Sequence, residues 1–229
     1  MSTFHTIWDG LDWSVLTDIL LAVIPALLCI TLHELAHGYV AYRLGDDTAK
    51  RLGRLTLNPI KHIDPMGLIM MVVFHFGWAK PVPVNMNRFE HPKRGMAITA
   101  AAGPLCNLLL TCVLLLVYGF VYTPMRRVGG TVCHLVLGTI STASYLSLAL
   151  AIFNILPIPP LDGSKVLFSL LPETAYDKLM RYERFGMILL LLIVATDLLG
   201  SPLSTATEYL YSKLFTIAQW SFDLGQKLF

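Results

Sequence analysis

Charged residues are few in this chain. Only 14% of its 229 residues are Asp, Glu, Lys or Arg, whereas 55% are hydrophobic. Soluble domains carry about 25% charged residues, because a surface in water must be covered with polar groups. The composition therefore excludes an ordinary soluble domain and indicates an integral membrane protein. The net charge of +2 and the lack of a long basic run argue against nucleic-acid binding.

Cysteine is also scarce, and its spacing follows no redox or metal pattern. The four cysteines lie within or at the ends of apolar segments, without a C-x-x-C pair: Cys29, Cys106, Cys112 and Cys133. We interpret them as small packing hydrophobes. A disulfide or a thiol metal site is therefore not expected.

Positive charge is missing from the start of the chain. No Lys or Arg precedes Arg43, and no small-residue cleavage site follows a short apolar core. A removable signal peptide has both features. The first apolar run is therefore expected to remain in the mature protein.

Long apolar runs predict an all-α polytopic membrane protein with about four to six transmembrane helices. A helix needs about 20 mostly apolar residues to cross a bilayer. Three runs exceed that length and a fourth is just sufficient: 15–43, 97–122, 132–156 and 185–200. Their short connections leave room for one membrane domain over residues 1–229, with a core at 15–172 and an additional part at 185–229.

Two further segments differ from these spans. Residues 67–78 are apolar but too few to cross, so we expect a re-entrant segment that enters the membrane and returns. Residues 203–228 carry leucine and isoleucine at near-helical spacing, interrupted by charged residues. This pattern predicts an amphipathic helix lying on the membrane, with a fifth crossing as the alternative.

Lys and Arg are unevenly distributed between the spans. Residues 1–18 contain none, 43–94 contain nine, 123–131 contain two and 157–184 contain four. The positive-inside rule places the strongly basic connections in the cytoplasm. We therefore expect the N-terminus outside the cytoplasm.

The first span carries an H-E-x-x-H pattern in its second half, formed by His33, Glu34 and His37. Two histidines four residues apart share one face of a helix, so both imidazoles can bind one zinc ion. A lone histidine there would more simply be packed or hydrogen-bonded. Ionisable groups inside a span are costly, however, and three together favour a function.

A third metal ligand is expected beyond the third span. His33 and His37 lie toward the cytoplasmic end of the first span, and residues 154–162 lie at the cytoplasmic end of the third, so the two regions can meet at one depth. Catalytic zinc usually has three protein ligands, and a carboxylate commonly completes two histidines. Asp162 is the candidate, although it could simply cap the helix that runs to Leu171.

Three motifs carry a resemblance to a known family. They are His33-Glu34-x-x-His37, then Gly103-Pro104-Leu105-Cys106-Asn107, then the run from Asn154 to Gly163. With these motifs in this order, the chain resembles the site-2 protease family of intramembrane zinc metalloproteases. It is most similar to the short bacterial-type members without PDZ or CBS domains, over about residues 20–172.

The resemblance implies one Zn²⁺ per chain, bound by His33, His37 and Asp162. Glu34 would be the general base on the zinc-bound water during peptide-bond hydrolysis. The side-chain amide of Asn154 could donate to the substrate backbone or to the developing oxyanion.

Gly103 and Asn107 enter as site candidates only through the family motif. A packing role, as a small contact and an interhelical hydrogen bond, is as well founded as a role in positioning the substrate.

A short strand is predicted at residues 52–58, within a re-entrant or β-hairpin region between the first two spans. Apolar and polar residues alternate there between glycine and proline breaks. An exposed strand edge could hold an unwound substrate extended by backbone pairing. A structural hairpin would show the same alternation. The candidate substrate-positioning residues are Leu55, Thr56 and Leu57.

The expected function is that of an intramembrane zinc metalloendopeptidase in regulated intramembrane proteolysis. Its partners would be a transmembrane protein substrate and the lipid bilayer, with the active site toward the cytoplasmic side of a bacterial cell membrane. A catalytically silent zinc-binding membrane protein is one alternative, against which the intact Glu34 argues. A small transporter is another, but paired repeats are absent from the sequence.

Single-cysteine labelling of intact cells tests the orientation. In a variant without the native cysteines, we expect His5→Cys to react with an impermeant maleimide from outside, and Glu90→Cys to react only after permeabilisation. The opposite labelling pattern would invert the topology.

Overall fold

The computed structural model describes residues 13–74 and 77–228, and these residues are mostly helical. The eight helices described are α1 (Trp13–Arg43), α2 (Thr48–Arg51), α3 (Pro65–Phe74), α4 (Pro92–Val128), α5 (Gly130–Asn154), α6 (Asp162–Ser169), α7 (Glu173–Ala195) and α8 (Gly200–Leu228). Two 3-10 turns, Pro59–His62 and Met86–Arg88, lie between α2 and α4. The predicted all-α fold is confirmed.

Three of the described helices are long and apolar enough to cross a membrane: Val23–Arg43, Pro92–Val128 and Gly130–Asn154. A fourth crossing exists only if Phe185–Ala195 and Gly200–Lys227 count as one span, although they meet at an angle of 85°. The chain turns between them at Asp197, which has a φ of 52°. The fourth apolar run, 185–200, is therefore broken rather than one straight helix.

Helix α4 lies at the centre of the bundle. It contacts α1, α5, α6 and α8. Leu115 on α4, Leu148 on α5 and Cys29 on α1 are almost completely buried between the helices. All four cysteines are free, and Cys29 and Cys133 are buried whereas Cys106 and Cys112 are half-buried.

The two ends of the short apolar segment after His62 lie side by side. Ile63 and Ala79 form an isolated antiparallel bridge, and the Lys80 N–H donates to the His62 carbonyl at 2.9 Å. Helix α3 leaves from this point, and Gly67 near its start lies against the backbone of Trp78. A chain that returns to its starting point is the geometry expected of a re-entrant segment.

The strand predicted at residues 52–58 is wrong, because these residues form turns and bends. Local hydrogen bonds replace a ladder: the Asn58 N–H donates to Thr56 Oγ1, and Asn58 Oδ1 accepts from the Ile60 N–H to start the first 3-10 turn. Thr and Asn side chains often compete with sheet pairing in this way.

The C-terminal helix α8 packs along α4 and α5. Its buried residues recur at helical spacing: Thr207, Ala218, Ser221 and Gly225. The Tyr211 hydroxyl lies 2.8 Å from Ser144 Oγ on α5. These contacts pack α8 against two helices of the bundle, and together with Phe185–Ala195 it would form a fourth crossing and not a fifth.

Gly119 allows α4 and α8 to approach closely, since a Cβ there would collide with the Ala218 carbonyl and with Ser221 Oγ. We therefore expect Gly119→Ala to lower the stability of the protein by about 1–3 kcal/mol through overpacking. Thermal unfolding in detergent micelles measures the effect.

The matched control is Gly138→Ala on α5, where an added Cβ would meet nothing within 4 Å. This change should be neutral or stabilising by up to about 1 kcal/mol, because alanine has the higher helix propensity. Equal melting temperatures for the two variants would contradict the close packing of α8.

Candidate metal centre

Helix α1 brings the two motif histidines together. One helical turn separates His33 from His37, so their rings lie on one face of the helix and meet edge to face, with centroids 4.6 Å apart and planes nearly perpendicular. Their Nε2 atoms lie 3.0 Å apart. Both side chains are buried, so α1 presents two nitrogen ligands inside the bundle.

Asp162 joins the histidines from a distant part of the chain. Its Oδ2 lies 3.2 Å from His33 Nε2 and 3.1 Å from His37 Nε2. Prolines follow α5 and end it, so that a new helix, α6, begins at Asp162. Gly163 permits this tight return, because a Cβ there would collide with the Ile155 carbonyl.

The structure does not support the N-cap role for Asp162. The N-cap of α6 is Leu161, and no side chain of the cap forms a hydrogen bond to the helix. Asp162 is instead the first helical residue, and its carboxylate points at the two imidazoles.

The three side chains fit a metal ion. Their ligand atoms form a compact buried group, which could hold one ion. Asp162 Oδ2 is buried and accepts no hydrogen bond from the described residues, so the two imidazole nitrogens are the polar atoms that face this charge. Atoms at two corners of a zinc tetrahedron with bonds of about 2.0–2.1 Å lie roughly 3.3–3.4 Å apart. The observed separations of 3.0–3.2 Å are close to that value.

Helix α4 contacts the Nδ1 atom of each imidazole, on the side of the ring opposite Nε2. His37 Nδ1 lies 2.7 Å from the Thr99 carbonyl oxygen, so its N–H donates there and Nε2 keeps a lone pair for a metal. Sequence reasoning missed Thr99 because it contributes a backbone atom, which no residue pattern reveals. Such a second hydrogen bond is typical of histidine ligands.

Asn107 supports His33 in the same manner. Its side-chain nitrogen is placed 3.2 Å from His33 Nδ1, whereas its Oδ1 is buried without a hydrogen-bond partner among the described residues. The amide oxygen and nitrogen are alike in shape, and only with Oδ1 facing the ring can this amide accept from a protonated Nδ1. Oδ1 then accepts from the His33 Nδ1–H, and Nε2 of His33 is free to bind a metal.

Gly103 lies between these two supports and makes room for the rings. A Cβ at this position would collide with His37 Nε2 and His33 Cε1. The second motif therefore packs against the two histidine rings on the side that faces α4.

A cavity of about 480 Å³ opens in front of the three ligands. Glu34 lines it without being one of the grouped metal ligands, and its Oε2 accepts a hydrogen bond from the Val82 N–H at 2.8 Å. Asn154 also lines the cavity, and its Nδ2 donates to the Leu150 carbonyl at 3.0 Å. Glu34 and Asn154 thus both border the cavity that also contains the three candidate ligands.

The cavity wall differs from the sequence-based expectation at one place. Leu55, Thr56 and Leu57 do not line it. Part of the wall is formed instead by residues outside the predicted substrate-positioning set: Trp78, Ala79, Pro81, Val82, Val84 and Lys165.

Comparison with known proteins agrees with this geometry. A model described as peptidase family M50 matches residues 122–196. A Bacillus subtilis protein named "Putative zinc metalloprotease YwhC" is 41% identical over 203 residues, which cover 85% of this chain and 90% of the relative. The chain belongs to peptidase family M50. The resemblance to site-2 proteases is thereby confirmed, and the protein is a metalloprotease with several membrane helices.

More distant relatives extend over a similar part of this M50 peptidase. Two proteins named "Putative zinc metalloprotease Rip2" are 27% identical in Mycolicibacterium smegmatis and 28% identical in Mycobacterium tuberculosis. The matches cover 90% and 87% of this chain and 74% and 71% of the relatives. No solved structure matches the chain significantly.

Metal content separates the ligands from the base. We expect His33→Ala, His37→Ala and Asp162→Asn each to lower the bound zinc sharply, because a ligand is lost or replaced by a weaker neutral one. Glu34→Gln should keep the metal but lose turnover. Elemental analysis of the purified protein measures the zinc per chain.

The control for the aspartate is Asp223→Asn on the exposed side of α8, which makes the same chemical change away from the cavity. Normal zinc content in Asp162→Asn would remove this residue from the site, and loss of zinc in Glu34→Gln would make Glu34 a ligand.

Proposed function

We propose that this chain is an intramembrane zinc metalloendopeptidase that hydrolyses peptide bonds within the transmembrane segments of other proteins. The observation that carries the proposal is the buried set of His33, His37 and Asp162 with Glu34 beside it, in a cavity between spanning helices. The relatives named as zinc metalloproteases support zinc as the metal.

His33, His37 and Asp162 would hold the ion. When bound, zinc polarises the scissile carbonyl and makes water acidic enough to deprotonate near neutral pH. Glu34 accepts the proton of the attacking water and passes it to the leaving amine. Thr99 and Asn107 keep both imidazoles in the tautomer that binds metal. The side chain of Asn154 can turn from the Leu150 carbonyl to the substrate backbone or the developing oxyanion.

The irregular backbone between α5 and α6 makes the site accessible to water. Pro160 and Leu161 line the cavity together with the ligands, and non-helical backbone at membrane depth is tolerated where it borders a polar cavity. Hydrolysis needs this access, since water is otherwise excluded from the bilayer core.

The same arrangement supports the expected orientation. The two histidines lie in the second half of α1, and the basic connection 43–94 follows α1 directly. The positive-inside rule then places the site toward the cytoplasm, with the N-terminus outside. Bacterial relatives support a bacterial cell membrane.

A comparison of membrane peptides tests the function. Cells that produce the native protein should accumulate fragments cut inside a transmembrane segment, and cells that produce Glu34→Gln should not, because the general base is lost. Quantitative mass spectrometry of membrane and cytosolic peptides detects them.

The matched control is Glu208→Gln, the same change on the exposed face of α8, which should yield the native fragments. Identical fragment profiles in the native and Glu34→Gln cells would refute the proposal.

A further inference from the structure

An extended segment passes along the cavity and touches the general base. Residues 79–85, which we call the strap, follow the re-entrant segment and precede the second 3-10 turn. Ala79, Pro81, Val82 and Val84 of the strap all line the cavity. The strap is therefore a wall of the site rather than a remote connection.

One hydrogen bond joins the middle of the strap to Glu34. The Val82 N–H donates to Glu34 Oε2 at 2.8 Å. Pro81 and Pro83 have no N–H, so Val82 is the one backbone donor among residues 81–83. The side chain of Val82 is buried against Gly38 of α1. This contact keeps the Val82 N–H beside the Glu34 carboxylate.

Arg54 anchors the first end of the strap. Its Nη2 donates to the Lys80 carbonyl at 2.8 Å, while the Lys80 N–H donates to the His62 carbonyl. Arg54 is buried although it lies outside the helices. A buried guanidinium that binds a main-chain carbonyl fixes the backbone at that point.

Asp46 anchors the second end. Its Oδ2 accepts from the Asn85 N–H at 2.6 Å, and its Oδ1 accepts from the Thr48 N–H at 3.0 Å. The carboxylate is completely buried. Burial opposes its ionisation, but these hydrogen bonds and the nearby Arg88 outweigh burial and hold the pKa of Asp46 below its ordinary value. The anchor is therefore charged at neutral pH.

We propose that the strap positions Glu34 for proton transfer, and that Asp46 and Arg54 are positioning residues that act through the strap. The Val82 N–H occupies one carboxylate oxygen and orients the other toward the cavity. Neither anchor is among the grouped metal ligands or the cavity-lining residues. Small displacements of a catalytic group by distant changes can lower a rate by about 100-fold.

This inference rests on the proposed function for its kinetics, but the contact itself can be measured without a substrate. Hydrogen–deuterium exchange of the detergent-solubilised protein reports the Val82 amide in a fragment that covers the strap. We expect exchange about tenfold faster in Glu34→Ala than in the native protein, because a charge-assisted hydrogen bond is lost. Glu34→Gln keeps a side-chain acceptor and should remain close to native.

Kinetics then test the anchors on a membrane peptide found to be cleaved in the comparison of native and Glu34→Gln cells. Asp46→Asn replaces an acceptor of the anchor by a donor, and should lower kcat by about 10- to 100-fold with KM and zinc content near native. The control is Asp47→Asn, which is the same change one residue later. Asp47 pairs with Arg51 and Arg88, so native kcat is expected.

Arg54 offers a second pair of variants. Arg54→Gln should lower kcat in the same way as Asp46→Asn, and Arg54→Lys should recover part of it, because the ammonium group can still donate to the Lys80 carbonyl. Rescue by the conservative variant distinguishes positioning of the strap from a general loss of structure.

Several results would overturn the inference. Exchange of the Val82 amide that is equal in the native protein and Glu34→Ala would mean that no hydrogen bond to Glu34 exists. A rise of kcat in Asp46→Asn would show that the strap obstructs the base. An unchanged kcat, or a fall that accompanies loss of zinc, would also reject a positioning role. If the native protein cleaves no peptide, the proposed function fails, and the exchange measurement still decides the contact.

Discussion

The structure depends on the meeting of three ligand atoms in an apolar bundle. Two imidazole nitrogens and one carboxylate oxygen lie 3.0–3.2 Å apart, in a position where unpaired polar groups are costly. A divalent cation bound by all three atoms would pair with each of them. The cost of leaving these atoms unpaired would then favour metal binding. The surrounding elements can be understood as the means of keeping these atoms together.

Helix α4 supplies most of that support from one face. Thr99, Gly103 and Asn107 follow each other at intervals of four residues, so they lie in a row behind the two histidines. The Thr99 carbonyl accepts from the His37 ring, the Asn107 amide lies 3.2 Å from His33 Nδ1, and the glycine between them leaves space for both rings. One helix thus sets the depth, the tautomer and the spacing of both nitrogen ligands.

The same row connects the site with the C-terminal helix. The Asn107 carbonyl accepts from Thr111 and Ser147, and Thr111 also donates to the Ser144 carbonyl. Ser144 in turn meets Tyr211 of α8. Polar side chains that satisfy each other between helices hold a membrane bundle together, so α8 is linked to the site through paired contacts.

Features that depend on neighbouring residues can be predicted from the sequence alone. Apolar runs define the spans because a bilayer demands about 20 apolar residues, and the i, i+4 spacing puts His33 and His37 on one helix face. Prolines after Asn154 end α5 for the same local reason. Asp162 could be proposed as the third ligand only through topology and family resemblance.

Tertiary structure alone decided which distant groups meet. Nothing in the local pattern distinguishes residues 79–85 from 52–58 as the wall of the cavity. Residues 52–58, predicted as a strand, form turns that their own side chains stabilise. Likewise, the backbone carbonyl of Thr99 and the packing of Gly119 against α8 are invisible in a residue pattern. Local hydrogen bonding and hydrophobic length fix each helix, whereas the contacts between helices depend on the packing of the whole bundle.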